Sequence, residues 1–306
     1  MLWCVAIDRA VREGRLDRID DGIELLPVER QADWRRLIDD ARTNPPGTFN
    51  PNGFVVTALQ AALSAIHHTP IPADEPARHL RDALVAAVRI GNDTDTVAAI
   101  AGALLGARWG SSAVPLRWRA LLHGWPGWTA NDVARHAVLA ANGGASDDHG
   151  WPAGESMLPH YAATFGAAPV LVPLPDDPGV LLANAAGVMG ADRVDDVVSL
   201  CRMGSADVPA GARVHQLHLI DADRANPNLR FHLRDLAETV AAWRDEGRTV
   251  AIHCVMAESR TPTAGAAYLA HRMGIDAASA LARIRDALPR AQPRDEFVAM
   301  LELLWG

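Results

Sequence analysis

The sequence predicts a multi-domain protein, in which an all-α domain is followed by an α/β domain with a largely parallel central sheet. Two observations lead to this fold class. Across the first half of the 306-residue chain, apolar residues recur at helical spacing and no stretch alternates with a period of two. After about residue 168, short β-branched runs alternate with amphipathic helices, as they do in parallel sheets with covered faces.

The first predicted domain spans residues 1–140 and is built from helices. An amphipathic stretch begins at Leu2, and a Pro/Gly/Asn-rich turn cluster interrupts the helical pattern between residues 45 and 53. Further helical stretches cover residues 30–42, 54–68, 80–88 and 97–108. Residues 141–165 are predicted to be a linker, because they open on a run of small, polar and flexible residues.

The second predicted domain spans residues 166–306. Its predicted strands cover residues 169–172, 196–201, 214–220 and 249–253. Its predicted helices cover residues 228–246, 262–273, 277–287 and 294–305. Strands that alternate with helices in this way favour parallel pairing.

The charge balance excludes several classes of function. All 29 cationic side chains are arginine, the formal net charge is −8, and no basic run exists, so we expect no nucleic-acid partner. A chain without lysine cannot form a Schiff base on a lysine amine. No apolar run reaches the ~18 residues that a membrane span needs, so no membrane partner is expected. Three scattered cysteines fit a reducing cytosol, so we expect a cytoplasmic protein.

One nine-residue stretch, residues 253–261, combines a nucleophile, an anion cradle and a cation. A loop that enters a helix directs several N–H groups to one point, which favours an oxyanion and makes Cys254, at the start of the loop, a candidate nucleophile. Arg260 follows six residues later and can grip two phosphate oxygens. Thr261 and Ser259 offer hydroxyls that could stabilise the thiolate as it leaves. The remaining members of the predicted phosphate-binding loop are His253, Val255, Met256, Ala257 and Glu258.

This stretch resembles the His-Cys-x5-Arg-Ser/Thr signature of the Cys-based phosphatases, most closely the dual-specificity branch. The resemblance covers about residues 169–306. It implies that Cys254 attacks phosphorus, that a phosphocysteine forms, and that no cofactor is needed. It also implies a general acid on the loop before the long helix, where Asp223 is the aligned residue and Asp221 is the alternative.

Two loop residues depart from that family. Ala257 stands where the family usually has glycine, and a positive φ there would cost of order 1 kcal/mol. Glu258 is acidic inside a loop that must hold a dianion, so we expect its carboxylate to face away from the phosphate site. With only Arg260 as a loop cation, the expected substrate is a simple phosphomonoester on a protein or a small molecule.

A second motif, residues 91–96, places two carboxylates and a hydroxyl before an Ala/Gly-rich helix. From the residues alone, two interpretations stay open. Asp93, Asp95 and Thr96 could supply oxygen ligands to a hard cation such as Mg²⁺. Alternatively, Asp93 or Asp95 could be the N-cap residue of the helix.

This motif resembles the C-terminal metal motif of the ADP-ribosylglycohydrolases, and residues 52–56 and 109–115 fit the same family. The resemblance covers about residues 1–130 and implies an all-α domain with Asp93, Asp95 and Thr96 as ligands of Mg²⁺. The family's glycine-rich opening segment does not precede residue 50, so we expect Met1 to begin inside the domain and the site to bind Mg²⁺ weakly. The apolar surface left open by a partial domain also predicts self-association, or docking of residues 1–130 onto the phosphatase-like domain.

Three functions follow as alternatives. The leading hypothesis is a Cys-dependent phosphatase that carries an incomplete ADP-ribosylglycohydrolase domain. The second is a bifunctional enzyme that acts on phosphorylated and ADP-ribosylated substrates once the chain is completed upstream. The third is a protein that binds phosphate or ADP-ribose groups without turnover.

Overall fold

The computed structural model describes residues 1–166 and 168–306, which form two compact units, Met1–Val114 and Pro115–Gly306. The division falls earlier than the domain boundary at residue 140 that the composition suggests. The segment between residues 115 and 140 therefore belongs to the second unit in the structure. Within the described residues, no helix has the length and apolar character required to cross a bilayer.

The first unit is helical, as predicted. Short 3₁₀ turns at Ile19–Leu25, Pro46–Phe49 and Ser111–Ala113 connect or end its longer helices. The helices are α1 (Leu2–Glu13), α2 (Val28–Thr43), α3 (Val55–His68), α4 (Arg78–Val88) and α5 (Thr94–Trp109). Helix α5 packs against α1, α3 and α4, and it buries Val97, Ala101, Leu104 and Leu105 completely. Small residues such as Ala61 and Ala65 on α3 let these helices approach closely.

The second unit contains a five-stranded sheet in the order β3-β4-β7-β5-β6. The strands are β3 (Leu171–Leu174), β4 (Asp177–Asn184), β5 (Asp196–Ser199), β6 (Arg213–Gln216) and β7 (Val250–Cys254), and a hairpin of β1 (His123–Gly124) and β2 (Trp128–Thr129) precedes them. The pair β3–β4 is antiparallel, whereas β4–β7, β5–β7 and β5–β6 are parallel. The predicted α/β class and the largely parallel sheet are thus confirmed.

The helices of the second unit cover the sheet and its edges. They are α6 (Leu116–Leu121), α7 (Ala130–Ala141), α8 (Leu158–Phe165), α9 (Ala185–Val188), α10 (Leu229–Asp245), α11 (Arg260–Met273), α12 (Ala277–Ala287) and α13 (Asp295–Trp305). Strand β7 shows why both faces are covered. Val250, Ile252 and Cys254 point into the large core that includes α10–α13, while Ala251 lies in a smaller cluster with Val188 of α9.

Strand β4 is not predicted by the sequence analysis, because it begins with Asp-Pro-Gly, which is a turn signal. The predicted strand over residues 214–220 is shorter in the structure and ends at Gln216. The short hairpin β1–β2 is also a departure from the all-α interpretation of residues 1–140.

The segment predicted as a linker is folded onto the second unit. Asp207 accepts hydrogen bonds from the Ser156 hydroxyl at 2.5 Å and from the Met157 N–H at 2.7 Å. A Cβ atom at Gly204 would lie 2.2 Å from the Glu155 carbonyl oxygen, so the two backbones touch at this point. Helix α8 completes the segment. The composition of residues 142–150 therefore indicates a turn-rich connection and not a free linker.

Candidate active site

The loop between β7 and α11 has backbone N–H groups without a hydrogen-bond partner among the described residues. Cys254 is the last residue of β7, and α11 begins at Arg260. Within the described residues, the N–H groups of Met256, Ala257 and Glu258 make no hydrogen bond to another group of the chain. Unpaired N–H groups at the start of a 14-residue helix attract an oxyanion, because the helix dipole adds positive potential there.

Cys254 is buried, with 2% of its surface exposed, and it pairs in register with Asn184 of the parallel strand β4. The thiol is therefore carried by the end of the central strand of the sheet. The other buried thiol near the loop, Cys201, contacts Met203 Sδ at 3.8 Å. Burial, and then the neighbouring Cys254, raise the pKa of the Cys201 thiol, so Cys201 remains protonated and unreactive.

Ala257 adopts a left-handed backbone conformation, with φ at 59°. This is the position at which the sequence comparison with Cys-based phosphatases expects glycine. An alanine in this region crowds its Cβ against the following carbonyl at a cost of order 1 kcal/mol. The loop thus keeps its curvature despite the missing glycine, and it stores strain at Ala257.

Glu258 does not compete for the anion position. Its carboxylate forms an ion pair with Arg290 at 2.5 Å, and its carbonyl accepts a hydrogen bond from the Gln292 N–H at 2.6 Å. Both partners belong to the connection between α12 and α13. The negative charge of Glu258 is therefore balanced by a neighbouring arginine, so it opposes an anion in the loop less strongly.

Arg260 reaches from α11 to the loops that follow β5 and β6. Its Nη1 donates to the carbonyls of Leu200 at 3.1 Å and Leu219 at 3.2 Å, and its Nε lies 3.5 Å from Asp221 Oδ2. Only 13% of the side chain is exposed. The guanidinium therefore has a fixed position close to the loop and keeps N–H groups for a ligand.

The two candidate acids occupy different environments. Asp221 is half-buried, and its Oδ1 accepts hydrogen bonds from the Ser259 hydroxyl and from Arg294 Nε, both at 2.8 Å. Asp223 is exposed and accepts no side-chain hydrogen bond within the described residues. Asp221 is thus committed to holding the loop, whereas the Asp223 carboxyl is free to meet a ligand.

The remaining loop side chains also have fixed partners. His253 shares a 2.6 Å hydrogen bond with the Ser199 hydroxyl, and burial lowers the pKa of its imidazole to about 4, so the ring is neutral at pH 7. The Thr261 hydroxyl donates to the Ala183 carbonyl at 3.3 Å. Since Ser259 donates to Asp221, the two hydroxyls that were expected to stabilise the thiolate have other partners in this structure.

An apolar pocket of about 220 Å³ lies beside the loop, and the sequence analysis did not predict it. Val255 and Met256 of the loop form one wall, and Tyr161 and Phe165 of α8 form another. The Tyr161 hydroxyl donates to the Arg202 carbonyl at 2.6 Å, which fixes the helix against the strand ends. The helical spacing of Leu158, Tyr161, Ala162 and Phe165 was the available signal, but it lay inside the segment predicted as a linker.

The residues of the second motif lie together at the start of α5. Asp93 is the N-cap residue, yet its side chain makes no capping hydrogen bond, and Asp95 and Thr96 are exposed. The buried Asn52 positions the turn, since it accepts from the Asp93 N–H at 2.9 Å and donates to the Gly91 carbonyl at 3.1 Å. Oxygen ligands of this kind suit Mg²⁺. Among the residues that the structure describes, however, no group of three or more His, Cys, Asp or Glu side chains could hold a metal.

Two families match different parts of the chain. Residues 197–304 match the family model of the dual specificity phosphatase catalytic domain, and residues 1–147 match that of ADP-ribosylglycohydrolase. Both families agree with the resemblances seen in the sequence. The bounds differ from those expected, because the glycohydrolase match extends to residue 147 instead of about 130 and the phosphatase match begins at residue 197 instead of about 169.

The chain spans less than half the length of the curated relatives that it matches. ADP-ribosylarginine hydrolase Tri1 of Pseudomonas putida (strain GB-1) is 37% identical over 106 residues, 34% of this chain and 26% of that protein. Dual specificity protein phosphatase Mpk3 of Drosophila melanogaster is 28% identical over 88 residues, 29% of this chain and 21% of that protein. Dual specificity protein phosphatase 1 of Arabidopsis thaliana is 28% identical over 80 residues, 26% of this chain and 40% of that protein. The crystal structure of human DUSP28 aligns with a TM-score of 0.40 at 24% identity, over 45% of this chain and 97% of that one.

Proposed function

We propose that this chain hydrolyses phosphomonoesters. The proposal starts from the match of residues 197–304 to the dual specificity phosphatase family. Residues 1–147 match the ADP-ribosylglycohydrolase family. The observation that carries the proposal is the loop itself. A cysteine, unpaired backbone N–H groups and one arginine belong to the short loop at the N-terminus of α11. That arrangement stabilises the charge of a phosphoryl group during transfer.

The reaction has two steps. Cys254, as a thiolate, attacks phosphorus and forms an S–P bond, while the P–O bond to the leaving group breaks and Asp223 donates a proton to the departing oxygen. Water then attacks the phosphocysteine, and the Asp223 carboxylate accepts its proton as the S–P bond breaks. Inorganic phosphate leaves, and Cys254 returns to the thiolate form. Neither step of the proposed reaction uses a cofactor.

Asp221 acts through other residues in this mechanism. Its ion pair with Arg260 and its hydrogen bond from Ser259 set the position of the loop cation relative to the sheet. It is therefore proposed as a positioning residue. The exposed Asp223 is the proton donor, because a general acid must be free to approach the leaving oxygen.

The substrate class follows from the walls of the site. Arg260 is the loop cation, which fits one phosphoryl group, and the apolar pocket formed with Tyr161 and Phe165 fits an aromatic leaving group. We therefore propose an aryl phosphomonoester, such as a phosphotyrosine side chain, as the preferred substrate. The three free cysteines, one of them the nucleophile, also favour a reducing cytoplasmic location.

The test is hydrolysis of p-nitrophenyl phosphate and of a phosphotyrosine peptide by the purified chain. Cys254→Ser is expected to abolish turnover, while phosphate binding is retained. Cys4→Ser is the matched control, because Cys4 is exposed in the first unit and should leave turnover unchanged. Absence of wild-type turnover together with retained phosphate binding would favour the non-catalytic alternative.

A second candidate function concerns the motif at α5. Because the Asp93 carboxylate is not used as a helix cap, we propose that Asp93, Asp95 and Thr96 bind Mg²⁺ weakly. Bound Mg²⁺ would supply positive charge for an ADP-ribosylated substrate. Calorimetric titration should give a dissociation constant near or above ~1 mM, and Asp93→Asn should remove the binding. Asp39→Asn, an exposed aspartate on α2, is the control.

A further inference from the structure

A second cavity, of about 330 Å³, is lined by residues of α6, α7 and β6 and of the loop that precedes β6. Three arginines line it, Arg119 from α6, Arg135 from α7 and Arg213 from β6. Asp132 supplies an acidic group in the lining. The cavity therefore has an excess of positive charge, which the proposed phosphatase reaction does not use.

Arg119 is a cation without an acidic partner in contact. Its Nη2 donates to the Gln216 carbonyl at 2.6 Å, and within the described part of the chain it forms no ion pair. Burial lowers the pKa of Arg119, and the charge of Asp235 only partly opposes this effect. The charge of an arginine that has lost its hydrating water in this way is stabilised when an anion binds beside it.

Arg135 has unused donors as well. Its Nη2 donates to the Met203 carbonyl at 3.2 Å, and its buried Nε has no hydrogen-bond partner among the described residues. The nearby Asp132 carboxylate accepts from both the N–H and the hydroxyl of Thr129, at 2.9 and 2.7 Å, and so caps α7. Asp132 attracts Arg135 electrostatically but makes no hydrogen bond to it.

The other polar side chains of the cavity, Arg213 and Asn131, already have hydrogen-bond partners. Arg213 donates to the buried Asp196 at 3.3 Å. The Asn131 side chain joins α7 to β6, because it donates to the Val214 carbonyl at 2.6 Å and accepts from the Gln216 N–H at 3.0 Å. These bonds keep the cavity walls rigid, while Arg119 and Arg135 retain free N–H groups.

We propose that this cavity binds the phosphate group of a small phosphorylated ligand, at a site separate from the Cys254 loop. Arginine N–H groups bind phosphate oxygens in a bidentate manner, and the N-terminal turn of α7 adds positive potential to the same space. The volume suits a ligand somewhat larger than phosphate itself. The site stands apart from the proposed phosphatase function, so loss of one leaves the other intact.

Titration calorimetry with inorganic phosphate and with phenyl phosphate measures the number of binding sites per chain, and this number tests the proposal. We expect two sites for phosphate in the Cys254→Ser chain, one site after Arg260→Ala is added, and no site after Arg119→Gln and Arg260→Ala are combined. Arg119→Gln or Arg135→Gln alone should weaken the second site at least about ten-fold. Arg117→Gln is the control, because Arg117 lies on the same helix but pairs with Glu246 at the surface.

Urea unfolding of each variant separates loss of binding from loss of structure. If Arg119→Gln unfolds the chain, Arg135→Gln decides the result, because the Arg135 side chain makes one hydrogen bond within the described residues, to the loop after β5. A single phosphate site in the Cys254→Ser chain would overturn the proposal. A second site that persists unchanged in both arginine variants would also overturn it.

Discussion

Asp221 accepts a hydrogen bond from the Ser259 hydroxyl at 2.8 Å, and this contact joins the loop after β6 to the phosphate-binding loop. The same carboxylate accepts from Arg294 at 2.8 Å and lies 3.5 Å from Arg260. Two aspartates that are two residues apart in the sequence therefore have different environments. Asp221 is bound to the loop, and the exposed Asp223 is the proposed proton donor.

Exchange of Asp223 should reduce turnover strongly. Asp223→Asn cannot protonate the leaving oxygen, so kcat for a phenyl phosphate substrate is expected to fall about 100-fold or more. The loss should be smaller for p-nitrophenyl phosphate, whose leaving group needs little help from a proton donor. The measurement is kcat for both substrates.

Asp221→Asn provides the comparison. It removes the charge that faces Arg260 and Arg294 but leaves the proton donor in place, so we expect a higher KM and no special loss of kcat for phenyl phosphate. If Asp221→Asn instead reduced kcat mainly for phenyl phosphate and Asp223→Asn did not, the two assignments would have to be exchanged.

The strain at Ala257 predicts a stabilising substitution. Ala257→Gly relieves the left-handed backbone and should raise the free energy of unfolding by about 0.5 kcal/mol, after the greater flexibility of glycine in the unfolded chain is deducted. Urea unfolding measures the change. Ala278→Gly, on the exposed side of α12, should lower the free energy of unfolding by about 0.5–1 kcal/mol. Equal destabilisation by both substitutions would contradict the strained loop.

A buried carboxylate predicts how stability changes with pH. Burial alone would raise the pKa of Asp196, but hydrogen bonds from His215 and Arg248 outweigh it and lower the pKa. Below about pH 4 the unfolded chain takes up this proton more readily than the folded one, so the stabilisation is lost as the pH falls further.

Asp196→Asn should accordingly lower the free energy of unfolding by about 3 kcal/mol at pH 7 and by much less near pH 3. Urea unfolding at both pH values checks the difference. Asp245→Asn removes an exposed ion pair with Arg272 and should change stability by less than about 0.5 kcal/mol. A pH-independent loss for Asp196→Asn would refute the role given to its charge.

The apolar pocket predicts a preference for aromatic leaving groups. Phe165→Ala removes part of the wall that α8 contributes, so kcat/KM for phenyl phosphate should fall about five- to ten-fold. The same substitution should leave kcat/KM for a small alkyl phosphate nearly unchanged. An equal loss for both substrates would indicate damage to the loop and not loss of an aryl contact.

The loop of the candidate active site was predictable, because its residues are contiguous in the chain. The spacing from Cys254 to Arg260 fixes the loop, and the positive φ of Ala257 agrees with the expected glycine position. The roles of Asp221 and Asp223 were not separable from the sequence. They depend on contacts with Ser259 and Arg294, which lie 38 and 73 positions away along the chain.

The parts that sequence reasoning missed have a common physical cause. Strand β4 begins with Asp-Pro-Gly, whose turn propensity is overridden by pairing with β3 and β7. Helix α8 follows a run of flexible residues, so its apolar face was assigned to a linker, although that face packs beside Val255 of the loop. Tertiary contacts decide both elements, and they are not visible in a local window.

The phosphocysteine intermediate offers the most direct test of the central claim. In Asp223→Asn, p-nitrophenolate needs little help to leave, whereas hydrolysis of the S–P bond lacks its base, so the intermediate should accumulate. Mass spectrometry of the acid-quenched protein should then locate one phosphoryl group on the peptide that contains Cys254. A chain that turns over the substrate without any phosphoryl group on Cys254, or that remains active as Cys254→Ser, would contradict the proposed mechanism.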